Sequence, residues 1–302
     1  MVHHAAASSK YMVPTPAATL ELLKPITWFA PMWAFGCGVV SSGISLGDRW
    51  PYVVGGILLA GPLVCGTSQA VNDWYDREVD AINEPGRVIP SGRMPGRWGF
   101  FVAVANTLLS LAVAWWLGPW VFGAATVGLA LAWAYSAPPL RLKRSGWYGP
   151  AAVGLCYEGL PWFTAAAAAS GAFPGYATLS IALLYSVGAH GIMTLNDFKS
   201  VEGDRRMGLA SLPAVFGVER AARLACFVMA VPQLLVIALL LRWGFPIHAS
   251  IVAALFAGQV ICMLRLLQDP LRRASWYNAT GTTMYVFGML ASAFALRAMQ
   301  GG

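Results

Sequence analysis

An all-α, polytopic membrane protein with nine transmembrane helices and a cytoplasmic N-terminus is predicted by three features of this sequence. Hydrophobic residues fill 58% of the 302 positions and charged residues only 11%, under half the roughly one quarter carried by a soluble domain. The apolar residues fall into nine runs, each near the ~20 residues that a span requires. The Lys and Arg residues alternate from loop to loop, 17 on one side of the runs and 3 on the other, as the positive-inside rule demands. These figures exclude a disordered chain and a soluble enzyme. They also exclude a nucleic-acid binder, because the net charge of +7 reports loop topology rather than a basic face.

The runs lie at 26–45, 51–72, 99–117, 119–137, 149–169, 175–196, 221–241, 247–267 and 278–298. The loops between them justify each one in turn. Lys10 and Lys24 precede the first run, and Arg49 alone separates it from the second. Arg77, Arg87, Arg93 and Arg97 follow the second; the third turns into the fourth at Gly118-Pro119 without any basic residue. Arg141, Lys143 and Arg144 precede the fifth, and none stands between the fifth and the sixth. Lys199, Arg205, Arg206, Arg220 and Arg223 lead into the seventh, Arg242 into the eighth, and Arg265, Arg272 and Arg273 into the ninth. A missed or invented helix would scramble this alternation. Residues 1–20 read as a flexible cytoplasmic tail and 21–302 as one transmembrane domain, with no cleavable leader expected ahead of the first run. Trp50, Trp98, Trp120, Trp147, Trp243 and Trp276 stand near span ends as interfacial anchors. The five cysteines all lie in apolar runs without metal-binding spacing, and read as small core residues.

The acidic residues are less evenly spread. Asp73, Asp76, Glu78, Asp80 and Glu84 follow the second run, and Asp197, Glu202, Asp204 and Glu219 follow the sixth. The segments match: Asn72-Asp73-Trp74 and Asn196-Asp197-Phe198 each lead to a Glu and an Asp at the same offsets. This marks two half-repeats, roughly 21–145 and 146–275, with a final helix at 278–298. Asp73, Asp76 and Asp80 share a helix face at i, i+3 and i+7; Asp197 and Asp204 do so at i and i+7. Carboxylates gathered at helix C-terminal ends repel each other and oppose the helix dipole, so a bound cation is the economical explanation. An all-oxygen donor set points to Mg²⁺, which combines a few carboxylates with substrate phosphates and water. The competing reading is a solvated loop face balanced by its arginines. Arg87, Arg93, Arg141 and Lys143 stand nearby, able to neutralise a departing diphosphate or simply to mark topology.

At these residues the chain resembles the UbiA superfamily of intramembrane prenyltransferases. Asn72-Asp73-x-x-Asp76-x-x-x-Asp80 followed by Asn83-x-Pro85-x-Arg87 looks like the first aspartate-rich motif of that family. Tyr135-Ser136-x-Pro138-Pro139-x-Arg141-x-Lys143 and Asn196-Asp197-Phe198-Lys199-Ser200-x-Glu202-Gly203-Asp204 look like its later motifs. Leu23-Lys24-Pro25-Ile26-Thr27-Trp28 and Gly208-Leu209-x-Ser211-Leu212-Pro213 resemble the chlorophyll and bacteriochlorophyll synthase branch. Ser200 stands where many members of the superfamily carry an aspartate, a departure shared with that branch.

The resemblance implies helices arranged around a central cavity and Mg²⁺ held by Asp73, Asp76, Asp80, Asp197, Glu202 and Asp204. It implies substrate contacts from Asn72, Arg87, Tyr135, Arg141, Lys143, Asn196 and Lys199. The reaction implied is esterification of a chlorophyllide-type tetrapyrrole with geranylgeranyl or phytyl diphosphate in a bacterial photosynthetic inner membrane, beside other pigment-forming membrane proteins. Prenylation of a quinone precursor is the alternative within this chemistry. A transporter is the alternative outside it, but its polar residues should gather at the midplane, and here they gather at helix ends. Two residues lie deeper. Glu158 is either functional or a hydrogen-bonded group at the Pro161 helix break. His190 sits seven residues before Asp197, about 10 Å deeper on a helix, and either contacts the tetrapyrrole or packs as a satisfied histidine.

Overall fold

The computed structural model describes residues 13–45 and 47–300; the first twelve residues of the expected tail lie outside that range. Every predicted run falls on helix. The principal helices are α1 (Pro16–Leu22), α2 (Phe29–Ser41), α3 (Trp50–Asn83), α4 (Trp98–Leu117), α5 (Pro119–Ser136), α6 (148–170), α7 (Tyr176–Asn196), α8 (Val201–Arg206), α9 (Leu212–Phe216), α10 (Val218–Arg242), α11 (Pro246–Leu266) and α12 (Pro270–Gln300). Six of them, α3, α4, α7, α10, α11 and α12, are long and apolar enough to cross a membrane.

Two boundaries differ from expectation. The tail gives way to helix at Pro16, where the Thr15 hydroxyl caps the Ala18 amide at 3.2 Å. Leu22 and Ala18 then bury against Ala70, Val71 and Met94, and this burial holds the short helix in place. The first run is helical over only 13 residues, because Pro25–Thr27 forms a 3₁₀ turn behind Lys24, whose backbone is left-handed at φ 47°.

The bundle is turned inside out relative to a soluble protein. Leu108, Trp115, Ile261 and Leu264 are each more than half exposed, as suits side chains facing hydrocarbon. Inside, alanines and glycines pack with large apolar side chains such as Trp162, Phe35 and Ile181 and with hydrogen-bonded tyrosines. Tyr185 and Tyr285 are fully buried; the Tyr285 hydroxyl donates to the Tyr185 carbonyl at 2.5 Å, and the Tyr185 hydroxyl pairs with Ser292 at 2.9 Å.

Two helices widen into π-turns, at Leu59–Cys65 around Pro62 and at Leu155–Gly159 just before Pro161. A proline lacks the amide that closes an α-turn, and the wider turn accommodates the gap. Asn106 on α4 then donates to the Pro62 and Leu63 carbonyls at 3.1 and 2.9 Å. A membrane span tolerates its freed carbonyls only with such donors.

Candidate active site

The α3 helix continues unbroken to Asn83, so Asp73, Asp76 and Asp80 do share one face. Asp73 and Asp80 are buried, and each side chain meets a cation. Lys24 donates to Asp73 Oδ1 at 2.6 Å. Arg87 reaches Asp73 at 3.3 Å and Asp80 at 2.8 Å, while its remaining nitrogens grip Glu84 at 2.6 and 2.8 Å. Lys143 holds both oxygens of Asp76 at 2.5 Å, with Arg141 at 3.7 Å. Asn72 donates to Asp76 and to Ser136, both at 3.1 Å, and so ties α3 to the end of α5.

In the sequence Lys24 reads as a topology marker and as part of the Leu23–Trp28 motif, without a role toward the aspartates. It and Arg141 are the non-glycine residues with left-handed backbone among the described residues, and both reach toward these aspartates. Such a conformation costs roughly 1–2 kcal/mol and persists where its surroundings enforce it. Burial pushes the Lys143 ammonium below its ordinary range, against the pull of Asp76. Arg87 holds the Glu84 carboxyl below its usual range, and Lys24 and Lys199 add to the effect at longer reach. Lys199 comes from the second motif, so the two motifs share one electrostatic neighbourhood.

A short backbone link fixes the same relation. Ser145 and Ala210 form an isolated parallel bridge: the Gly146 amide donates to Ala210 at 2.8 Å and the Ala210 amide to Arg144 at 2.9 Å. It ties the loop carrying Lys143 to the loop that follows the second motif.

The second motif is built differently from the first. Asp197 and Asp204 do not share a continuous helical face, because α7 ends at Asn196 and a 3₁₀ turn, Asp197–Lys199, leads to Ser200 and then α8. The Ser200 hydroxyl bonds back to the Asp197 carbonyl at 3.1 Å, satisfying the backbone where the helix breaks. Asp204 is buried and accepts from Ser211 at 2.6 Å, with the Ser200 hydroxyl oxygen 3.3 Å from it. Asp197 has no ion pair among the described residues. Asn196 accepts from Asn278 on α12 at 2.7 Å, and Lys199 lies exposed.

Glu202, expected as a metal ligand, is not brought to this cluster. Its side chain is 69% exposed and pairs with Arg206 one turn along α8, because that face of α8 points outward. Glu202→Gln is therefore expected to leave turnover within about twofold of wild type, as an exposed i, i+4 pair contributes only a few tenths of a kcal/mol; initial rates of the two proteins check this. Arg93 likewise leaves the aspartates and pairs with Glu21 on α1.

Among the described residues no three Asp, Glu, His or Cys groups are gathered as a ready-made cage. Mg²⁺ takes one or two protein carboxylates and completes its shell from phosphate and water. The hard oxygen donors present fit it.

Deeper in the bundle, Glu158 is buried within the π-turn of α6 and its Oε2 lacks a hydrogen-bond partner. His190 is buried on α7, with Nδ1 3.4 Å from the Thr194 hydroxyl. A narrow apolar crevice descends from Tyr135 between α3, α5 and α6, past Val64, Gly128 and Cys156, to Thr164. Its two segments hold about 30 Å³ each, so a guest requires side chains such as Leu131 and Leu160 to rotate.

Residues 23–294 match the model of the UbiA prenyltransferase family. The chain is 60% identical over 288 residues to the bacteriochlorophyll synthase 33 kDa chain of Cereibacter sphaeroides, covering 95% of both. It is 39% identical to the chloroplastic chlorophyll synthase of Avena sativa, over 91% of this chain and 75% of that one. In fold it is similar to a UbiA homologue from Archaeoglobus fulgidus solved with GPP and Mg²⁺, at TM-score 0.69 and 21% identity, covering 90% of this chain and 99% of that one. The helical bundle, the two aspartate motifs at one end of it and these likenesses agree: the chain belongs to the UbiA prenyltransferase family.

Proposed function

We propose that this protein esterifies the propionate of a chlorophyllide or bacteriochlorophyllide with geranylgeranyl or phytyl diphosphate, in the inner membrane of a photosynthetic bacterium, with the aspartate loops cytoplasmic. The observation that carries this reading is the 60% identity to a bacteriochlorophyll synthase chain over 95% of both sequences. The site geometry supplies the chemistry. Lys24, Arg87, Arg141 and Lys143 form a cationic rim at the head of an apolar crevice. A diphosphate belongs at the rim and its prenyl tail in the crevice.

In the reaction the allylic C–O bond breaks, its electron pair leaves with the diphosphate, and a propionate oxygen bonds to the allylic carbon. The acceptor carboxylate is already ionised, so no strong general base is needed. The described residues contain no Ser-His or His-Asp hydrogen bond to provide one. Lys143 and Arg87 stabilise the charge that builds on the diphosphate. Tyr135, at the crevice head, faces the allylic end of the tail. Asp73, Asp76, Asp80, Asp197 and Asp204 are the residues that would hold Mg²⁺. When bound, Mg²⁺ supplies further neutralisation of the leaving group.

The test is direct. Purified protein and Mg²⁺ are incubated with chlorophyllide or bacteriochlorophyllide and each prenyl diphosphate, and the pigment is analysed by mass spectrometry. A prenyl ester in at least one pairing is expected; no ester in any pairing sinks the reading, and a prenylated aromatic acid in its place favours the quinone alternative.

A second prediction concerns the tail. Gly128 lines both segments of the crevice, and a Cβ there would lie 3.5 Å from Leu160 and 3.7 Å from Val64. A Cβ there makes ordinary contacts, and the remaining atoms of Gly128→Leu extend into the channel. The variant is expected to raise KM for a C20 diphosphate about tenfold or more, the loss of one or two kcal/mol of apolar burial, while binding of inorganic diphosphate stays unchanged. Equal KM values remove the tail from this crevice.

A further inference from the structure

On the opposite side of α6 lies a second, larger recess. It opens between α6, α7 and α10, holds about 420 Å³, and is lined by Trp147, Leu155, Leu183, Val187, His190 and Val228 among others. Leu183 and Val187 are 59% and 46% exposed, so its mouth faces the side of the bundle rather than its end. Its size is that of a site for a small organic ligand. Within this apolar lining His190 is the titratable side chain, it is 8% exposed, and its Nε2 has no hydrogen-bond partner. A buried nitrogen without a partner is costly unless something satisfies it.

On the other face of the ring, Nδ1 lies 3.4 Å from Thr194 Oγ1, which itself donates to the His190 carbonyl at 2.9 Å, so that nitrogen is set against the helix's own turn. A neutral imidazole held in this way can offer a ring nitrogen to a metal.

Placement links the recess to the reaction. Trp147, at its edge, is four residues from Lys143, which holds Asp76, and packs 5.6 Å from the His190 ring. Along α7, His190 lies seven residues from Asp197, about 10 Å at 1.5 Å per residue. A planar macrocycle centred on His190 thus projects a side arm of that length to the aspartate end. The prenyl crevice uses Ala152, Val153 and Cys156 of the same helix, so α6 is a septum with the two recesses on either side.

We propose that this groove seats the tetrapyrrole acceptor, with His190 Nε2 as the axial ligand to its central magnesium. The proposal rests on the esterification reading above and names where the acceptor binds. Four pyrrole nitrogens leave an axial position on the metal, and a neutral imidazole fills it without bringing charge into an apolar groove. Trp147, 47% exposed at the start of α6, lies against the imidazole at the edge of this groove.

The test uses the full chain in phosphatidylcholine nanodiscs without prenyl diphosphate, titrated with magnesium chlorophyllide and with metal-free pheophorbide. Fluorescence gives the Kd and resonance Raman scattering the coordination of the magnesium. The wild type is expected to bind the magnesium pigment about tenfold or more tightly than the free base, the usual reach of a ligating contact. His190→Phe should erase that preference and the five-coordinate signature while leaving free-base binding in place. Val187→Trp fills the mouth of the groove while keeping the imidazole, and should weaken both pigments. Metal preference retained in His190→Phe, or full affinity for both pigments in Val187→Trp, overturns the proposal. The two readings fail separately. Ester formation at the wild-type rate in both variants removes this site and keeps the reaction; no ester from any pairing, with His190-dependent pigment binding intact, removes the reaction and keeps the site.

Discussion

Asp73→Asn is expected to lower turnover by about three orders of magnitude, some 4 kcal/mol of transition-state stabilisation, while the protein still inserts and folds. The Asp73 side chain is only 3% exposed and sits where the Lys24 ammonium and the Arg87 guanidinium converge. Asn keeps the shape and removes the charge. Two cations then face a neutral amide, and the site loses one of the carboxylates that would hold Mg²⁺. The folding cost is the loss of charge-assisted hydrogen bonds, about 1.5–3 kcal/mol before relaxation, and Lys24 and Arg87 both remain partly open to solvent. Chelation by EDTA should abolish wild-type ester formation and added Mg²⁺ restore it. The measurement is initial rate against Mg²⁺ concentration for both proteins, with membrane insertion followed by fractionation. A fully active Asp73→Asn variant would end the metal-site argument.

Lys143→Met should cost about two to three orders of magnitude in kcat/KM, the usual loss when one preorganised charge at a developing anion is removed. Lys143 contributes a half-buried ammonium with 17% side-chain exposure, held against both oxygens of Asp76. Burial weakens its competition from water, so its field acts in a medium of lower dielectric than a surface lysine experiences. Methionine keeps the aliphatic stem and its packing. Asp76 retains Asn72 at 3.1 Å and Arg141 at 3.7 Å, so the loop stays anchored. The loss should divide between a raised KM for the prenyl diphosphate and a lowered kcat, with the pigment KM unchanged. Wild-type kcat/KM in this variant would place the diphosphate elsewhere.

These predictions rest on features of differing visibility in the sequence. Hydrophobic runs and charged loops are local properties, and the bilayer fixes their scale; all nine runs therefore fall on helix. The first aspartate motif was legible for the same reason, because an i, i+3, i+7 spacing survives wherever the helix is unbroken, as α3 is to Asn83. The second motif has nearly the same letters and a different backbone. Whether a helix continues past Asn196 depends on how Ser200 satisfies the freed carbonyl and on Asp204 finding Ser211, neither of which periodicity reveals. Glu202 consequently turned outward against expectation. The signal that could have promoted Lys24 was its place in the Leu23–Trp28 motif.

What the sequence determined alone was the kind of solvent this chain folds in, the register of its helices and the family of its acidic motifs. These follow from one-dimensional patterns with a fixed physical period. Only the tertiary structure decided which cation meets which carboxylate. Lys24 and Asp73 are 49 residues apart, and Lys143 and Asp76 are 67 apart. It also decided that one helix separates two recesses and that His190 lines the larger of them. Ion pairing and groove lining depend on distances of a few ångströms between segments remote in the chain, and spacing along the sequence does not encode those distances.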